Sequence, residues 1–251
     1  MTTQPDISLI RGDCLEVMPL LKDQSIDCIL ADMPYGTTEN HWDSVLPLDQ
    51  IWTQYQRLIK PHGAIVLFSS QPFTTTLISS NLPWFKYCWV WDKVSPVDFL
   101  NVKRRPMRQH EDIVVFRNGQ GVYNPQLSKD VPAYRIPISP SASDNYGTYG
   151  AIRAKDYVGY PRDIIRFRRF QPVYSDGPAC HPTQKPVALL EYLIKTYTNP
   201  GETVLDNTMG SGSTMVACIH TGRNGIGIEL DATYFESASQ RVNAALQDIK
   251  V

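Results

Sequence analysis

Apolar residues along this chain fall into two patterns. Ser25-Ile26-Asp27-Cys28-Ile29-Leu30-Ala31 and Ala64-Ile65-Val66-Leu67-Phe68 are nearly continuous apolar runs, which suits central parallel strands buried on both faces. The first run ends at Asp32. Between the two, Ile51, Trp52, Tyr55, Leu58 and Ile59 recur at helical spacing, and Pro61-His62-Gly63 is expected to stop that helix. Tyr87 to Trp91 and Ile113 to Phe116 read as two further strands. Helical spacing returns at Val187, Leu190, Leu193, Ile194 and Tyr197, ended by Asn199-Pro200-Gly201. Thr203 to Asp206 then predicts a strand, residues 212–220 a helix capped by Gly222, and Gly225 to Glu229 another strand, with Asp231 placed to N-cap a final helix. Strand and helix alternate through short connections, which defines an α/β fold with a doubly wound sheet.

The stretch from Arg117 to Ser175 breaks this rhythm. It holds Pro125, Pro132, Pro137, Pro140, Pro161 and Pro172, many Tyr and Ser, and no sustained period. It is too long for a plain loop and too aromatic for a disordered one, so it reads as an ordered insert. The expected organisation is 1–117, an insert at 118–175, and 176–251.

Composition narrows the class. At 251 residues, 42% hydrophobic and 20% charged, the chain can build one core domain carrying an inserted module. No apolar run approaches the ~18 residues of a membrane span, and Met1 to Leu9 lacks signal-peptide character. Five scattered cysteines without a Cys-x-x-Cys pair argue against a disulfide framework or a zinc site and point to the reducing cytoplasm. Net charge is −1, but residues 101–170 hold 13 Lys/Arg against 6 Asp/Glu, an excess of +7. Its densest pieces are Lys103-Arg104-Arg105-Pro106-Met107-Arg108 and Arg166-Phe167-Arg168-Arg169-Phe170, which suit phosphate neutralisation and, in the second, stacking.

Two turns carry candidate chemistry. The segment from Asp206 to Thr214, with Gly210 and Gly212, joins a predicted strand to a helix. There the backbone approaches a ligand closely and the helix N-terminus favours an anionic group. Glu229 ends the next strand, where a carboxylate accepts from ribose hydroxyls. No Lys follows the glycines as in a phosphate-binding loop, and Met215 stands where a dinucleotide motif needs a third glycine, so the pattern suits a nucleoside without a pyrophosphate. Glycines alone require no more than a tight turn. The second turn is Asp32-Met33-Pro34-Tyr35-Gly36, at the carboxyl end of the first buried strand. Pro34 fixes its own φ and pushes Met33 out of the α region, so the Asp32 carboxylate and the Met33 carbonyl can converge on an amino group. Two acceptors stabilise the charge that develops on a weakly nucleophilic amine as it is alkylated, and Tyr35 can stack on a base turned out of a duplex.

In their order these segments resemble the β-group amino-methyltransferases of DNA. In that family an Asp-Pro-Pro-Tyr motif comes first, then a target-recognition region; here Asp32-Met33-Pro34-Tyr35 is followed by the irregular middle, then His181-Pro182-Thr183-Gln184-Lys185-Pro186 and the glycine-rich cofactor turn. The resemblance spans nearly the whole chain and is closest to the short adenine methylases of phages and prophages. It implies a Rossmann-like, circularly permuted fold with a mixed seven-stranded sheet, and S-adenosylmethionine as cofactor. It further implies double-stranded DNA as substrate, methylation of adenine N6, and dimerisation in some members. It assigns Asp32, Met33, Pro34 and Tyr35 to catalysis, with Asp32 also bordering the cofactor. Asp206, Gly210, Gly212 and Thr214 would surround the cofactor's methionine part, Glu229 its ribose and Asp13 its adenine, while Thr183 and Lys185 would lie near its carboxylate. DNA contact would fall to Lys103, Arg104, Arg105, Arg108, Arg166, Arg168 and Arg169. Two departures stand out. Met33 replaces a Pro, and Asn207-Thr208 replaces Pro-Phe.

A cytosine C5 methyltransferase needs a nucleophilic Cys, typically after Pro, and no Cys here follows Pro. Cytosine N4 chemistry uses the same two acceptors, but in the family Asp at the first position leans to adenine and Ser to cytosine. RNA and a protein glutamine side chain also carry an amine, and the permuted order and long basic insert lean toward DNA. A DNA-binding protein without activity is a further alternative, and retention of both turns weighs against it. His41, His62, His110 and His220 read as surface or capping residues. No metal is expected.

Overall fold

The computed structural model describes residues 4–35, 46–128, 141–143, 147–149, 159–169 and 184–248. The chain divides into one unit of Met1–Asn124 with Ile164–Val251 and a second of Pro125–Asp163. The segment 118–175 expected as an insert encloses the second unit. Within that unit, β6 (Ser141–Ser143) and β7 (Gly147–Tyr149) form an antiparallel ribbon.

The first unit holds the other strands: β1 (Ile7–Arg11), β2 (Ile26–Ala31), β3 (Ile59–Ser69), β4 (Phe85–Val97), β5 (Arg108–Phe116), β8 (Ile164–Arg166), β9 (Thr203–Asp206) and β10 (Asn224–Glu229). They form one sheet in the order β1-β10-β9-β2-β3-β5-β4-β8. Only β5 runs antiparallel to its neighbours. The sheet therefore has eight strands where seven were expected. The extra one is β8, which pairs parallel with β4; only its central Ile165 is buried, so no apolar run announces it.

Side chains alternate across the sheet as the two-residue period of a strand requires. Cys28, Leu30, Ala64, Val66, Phe68, Ile113 and Val115 face a layer made by α4 (Val187–Tyr197), α5 (Ser213–Thr221) and α6 (Ala232–Asp248). Ile29, Ala31, Ile65, Leu67, Val114 and Phe116 face α1 (Cys14–Val17), α2 (Leu48–Leu58) and α3 (Phe73–Ser80). Burial on both faces explains why these strands read as continuous apolar runs. Ile59, expected as the last apolar position of a helix, instead adopts extended φ −72°, ψ 136° and opens β3. Pro61 accounts for this, because it disfavours helical backbone at Lys60. Gly222 caps α5 at φ 70°. The Asp231 carboxylate accepts from the Thr233 and Tyr234 amides at 2.8 and 3.0 Å, capping α6. No helix among the described residues is long and apolar enough to cross a membrane.

Strand order locates the site. From β2 the chain moves outward to β3, and from β9 it moves the opposite way to β10. The connections thus diverge between β9 and β2, opening a crevice at the carboxyl ends of those two neighbours. Asp206 ends β9, and Asp32 follows β2 directly.

Candidate active site

A cavity of about 480 Å³ opens at this divergence, within the range of small-molecule sites. Asp32, Met33, Pro34 and Tyr35 line one part of it; Asp206, Gly210, Thr214 and Glu229 line another; Asp13, Lys185, Arg108 and Arg169 also border it. Two turns separated by more than 170 residues in sequence thus meet. One direct tie is the Thr208 hydroxyl, which donates to the Asp32 carbonyl at 3.2 Å. A second runs beneath: the Tyr55 hydroxyl donates to Asn207 Oδ1 at 2.6 Å and lies 3.6 Å from Met33 Sδ. The positions that depart from the family pattern, Met33, Asn207 and Thr208, are therefore the ones that join the two turns.

At Asp32, the Tyr35 hydroxyl donates to Oδ1 and the Lys185 ammonium to Oδ2. Tyr35 is stacked on Phe73 with ring centroids 5.3 Å apart, which holds its ring at the cavity wall. Lys185 Nζ also lies 3.5 Å from Glu111 and 5.0 Å from the centroid of the Phe68 ring. Burial alone would discharge Lys185, but the Asp32 and Glu111 carboxylates outweigh it and raise its pKa. Lys185 thus engages carboxylates of the protein itself.

Another end of the cavity is built around Glu229. Its carboxylate accepts from the Gly210 amide at 2.9 Å on one oxygen and from the Asp231 amide at 2.8 Å on the other. Each oxygen retains a lone pair for a ligand hydroxyl. Burial pushes the Glu229 carboxyl above its ordinary range. Burial also drives Asp206 up to about 7, despite hydrogen bonds from the Thr214 hydroxyl at 2.6 Å and the Thr208 amide at 3.1 Å. A cationic ligand would draw both groups back to the charged form. These acceptors and the cavity's size fit a nucleoside bearing a positive centre, as S-adenosylmethionine does.

Other expected residues fall elsewhere. Gly212, at φ 74°, does not line the cavity; a Cβ there would meet Ala238 Cβ at 3.1 Å and Val242 Cγ2 at 3.3 Å, so its role is to let α5 start against α6. The Asp13 carboxylate caps α1 by accepting from the Leu15 amide at 2.8 Å, while the residue also borders the cavity. Thr183 lies outside the described residues. Lys103, Arg104, Arg105, Arg166 and Arg168 are exposed and away from the cavity lining. Arg105 pairs with Asp98 at 2.7 Å and Arg166 with Asp92 at 2.9 Å.

Sequence reasoning missed Thr208, Tyr55, Lys93 and Glu111. For the last two the local signal points elsewhere: Asp92 and Asp112 border the aromatic and aliphatic runs, and Lys93 and Glu111 each lie one position further out.

A family model described as DNA methylase matches residues 26–240. The chain belongs to this family and is a DNA methyltransferase. It is 27% identical to the type II methyltransferase M.HpaI of Haemophilus parainfluenzae, over 95% of this chain and 75% of that protein. It is 26% identical to the DNA adenine methyltransferase YhdJ of Escherichia coli K12, over 95% of this chain and 83% of that protein. Among solved structures, M1.HpyAVI in complex with SAM superposes with a TM-score of 0.63 at 26% identity, covering 94% of this chain and 99% of that one. The fold is thus the Rossmann-like α/β fold of DNA methyltransferases.

Proposed function

We propose that this enzyme moves a methyl group from S-adenosylmethionine to the exocyclic N6 of an adenine turned out of duplex DNA. The observation that carries this reading is the meeting of the Asp32 turn with Asp206 and Glu229 in one cavity. An amine acceptor therefore stands beside a nucleoside site. Two relatives named as a type II methyltransferase and a DNA adenine methyltransferase support the substrate, and Asp in the first position of the turn favours adenine over cytosine.

S-adenosylmethionine, when bound, supplies an electrophilic methyl on a sulfonium. Glu229 would hold its ribose through the lone pairs its two amide donors leave open, and Asp206 would face its methionine part. The Asp32 carboxylate and the Met33 carbonyl accept the two amine hydrogens and direct the nitrogen lone pair at the methyl carbon. When bound, the cofactor would give up this methyl to the nitrogen, with the electrons of the C–S bond staying on sulfur. The nitrogen turns positive, Asp32 stabilises it, and its surplus proton leaves to water. Tyr35 supports the base, and Phe73 backs the Tyr35 ring. Arg108 and Arg169 at the cavity rim, with Lys103, Arg104, Arg105, Arg166 and Arg168 beyond it, neutralise phosphates. The segment 118–175 reads the target sequence. The resemblance to phage and prophage methylases, and to family members that dimerise, supports action in the cytoplasm, where the DNA is, and a homodimeric assembly.

Incubation with unmethylated duplex DNA and S-adenosylmethionine, followed by digestion to nucleosides and mass spectrometry, should yield N6-methyladenine. N4-methylcytosine as the sole product would overturn the choice of base and keep the mechanism; no modified nucleoside would overturn the reading.

A further inference from the structure

A chain of alternating charges runs behind the Asp32 turn. Lys185 bridges Asp32 and Glu111, and Lys93 Nζ donates to Glu111 Oε1 at 3.0 Å. Lys93 is 5% exposed. Burial pushes the Glu111 carboxyl up, but the Lys185 and Lys93 ammoniums outweigh it and hold it below its ordinary range. Among the described residues Glu111 Oε2 is buried and without a hydrogen-bond partner; Lys185 Nζ lies 3.5 Å from it, the distance of a loose ion pair. Stability does not explain such an arrangement. Apolar residues of similar volume usually serve a fold as well as a buried ion pair, and an under-satisfied carboxylate costs free energy.

The backbone beside the pair is also held out of regular geometry. Val94, next to Lys93, has φ 67°, a rare conformation for a β-branched residue. The β4–β5 register breaks between Asp92 and Val97. Asp92 holds this distortion by accepting from the Val94 amide at 2.8 Å and from Gln109 at 2.9 Å. Bulges of this kind re-aim side chains and persist where function over-determines them. Here the distortion sits where Lys93 meets Glu111.

The other end of the chain poses a problem for catalysis. Asp32 can stabilise a positive charge on the target amine only if its own charge is not already cancelled. With Lys185 on Oδ2, much of it is. We propose that Glu111, anchored by Lys93, is a positioning residue for methyl transfer: it takes over the Lys185 ammonium when the target amine engages the Asp32 carboxylate. The required movement is small. Closing the 3.5 Å contact to the ~2.8 Å of a charge-assisted hydrogen bond moves Nζ by roughly 0.7 Å. The unpartnered Oε2 is the acceptor waiting for it. Without Glu111 the ammonium would have, among the described residues, Asp32 as its remaining anionic partner and would compete with the substrate amine.

This inference rests on the methyl-transfer reading, so its test must separate the two. The experiment is a double-mutant cycle between Glu111→Gln and Lys185→Met. Single-turnover methyl transfer to unmethylated plasmid DNA is measured with enzyme and S-adenosylmethionine saturating, and cofactor affinity is measured separately by calorimetry. With Lys185 present, Glu111→Gln should slow transfer tenfold or more and leave cofactor affinity within about twofold. With Lys185→Met, the same change should slow it less than twofold, because no ammonium remains to be moved. A Glu111→Gln effect of equal size in both backgrounds, or none in either, would overturn the proposal alone. Absence of transfer by the wild type would remove the methyl-transfer reading and the proposal with it. A measurement on the unaltered protein guards against a variant that does not fold. In ¹⁵N-lysine spectra, with Lys185 assigned through Lys185→Arg, its ammonium resonance should move when S-adenosylhomocysteine and a short duplex bearing the mapped site bind together. It should stay in place with S-adenosylhomocysteine alone. A resonance unmoved by the duplex would overturn the proposal.

Discussion

In the proposed mechanism, Asp32 is one side chain placed for a charge that exists only in passing. Its carboxylate already has Tyr35 and Lys185 as partners in the free protein, so a neutral amine gains little ground-state affinity by displacing either. The gain comes as the nitrogen turns positive, and an interaction made only then lowers the barrier more than it tightens binding. Asp32→Ala should therefore bind cofactor normally and DNA nearly so, while the single-turnover rate falls by ~10² or more, the scale of one deleted preorganised electrostatic contact. Asp32→Asn keeps an acceptor without the charge and should fall between Ala and wild type. Rapid-quench transfer under saturating cofactor decides it. A wild-type rate in Asp32→Ala would place the chemistry elsewhere.

Among the elements, the turn after β9 shows that glycines in one motif can serve different ends. Gly210 lines the cavity and donates its amide to Glu229. Gly212 faces the opposite way, onto Ala238 and Val242 of α6. Gly212→Ala combines a left-handed backbone with a Cβ in a space already filled, a cost of about 1–2 kcal/mol before any clash is relieved. It should lower the melting temperature by several degrees, with cofactor affinity unchanged in the folded protein. Calorimetric titration showing lost affinity at wild-type stability would instead put Gly212 at the ligand. The two glycines could not be told apart from sequence, because the difference is which way each faces once α6 has packed. The same limit explains what else was and was not legible. β2 and β3 were readable because burial on both faces leaves a nearly continuous apolar run, β9 because it leads into a glycine-rich turn, and the turns at their carboxyl ends because ligands bind there in such sheets. β8 was not, since only Ile165 is covered. Thr208 donating to the Asp32 carbonyl across 176 positions, and Lys93 meeting Glu111 through a distorted strand pair, depend on strand order and register, which local patterning does not encode.

At the scale of the whole molecule, a net charge of −1 conceals the +7 excess in residues 101–170. For an enzyme that must hold a polyanion while one base leaves the stack, such a distribution makes sense. Nearly neutral overall, the protein avoids collapsing onto any nucleic acid, while in the proposed reading the basic stretch meets the DNA backbone. The basic residues are not equivalent. Arg108 and Arg169 border the cavity. Arg105 and Arg108 lie 2.7 and 3.8 Å from Asp98. A phosphate must compete with that carboxylate, so each of these arginines contributes less than a fully available one. Counterion release sets the measure. Each phosphate that the protein ceases to neutralise flattens the dependence of log K on log salt concentration by about 1. Replacing Arg104, Arg105 and Arg108 together by Ala should weaken duplex binding about equally on all sequences. It should flatten the slope by more than about 1 but less than the full value of about 3 for three phosphates, because Asp98 already offsets part of the charge. Asp98→Asn in the wild-type background should act in the opposite direction and steepen the slope. Fluorescence anisotropy on a labelled duplex across a salt series measures both. An unchanged slope in the triple variant would place the β4–β5 connection away from the DNA, leaving phosphate binding to Arg166, Arg168 and Arg169.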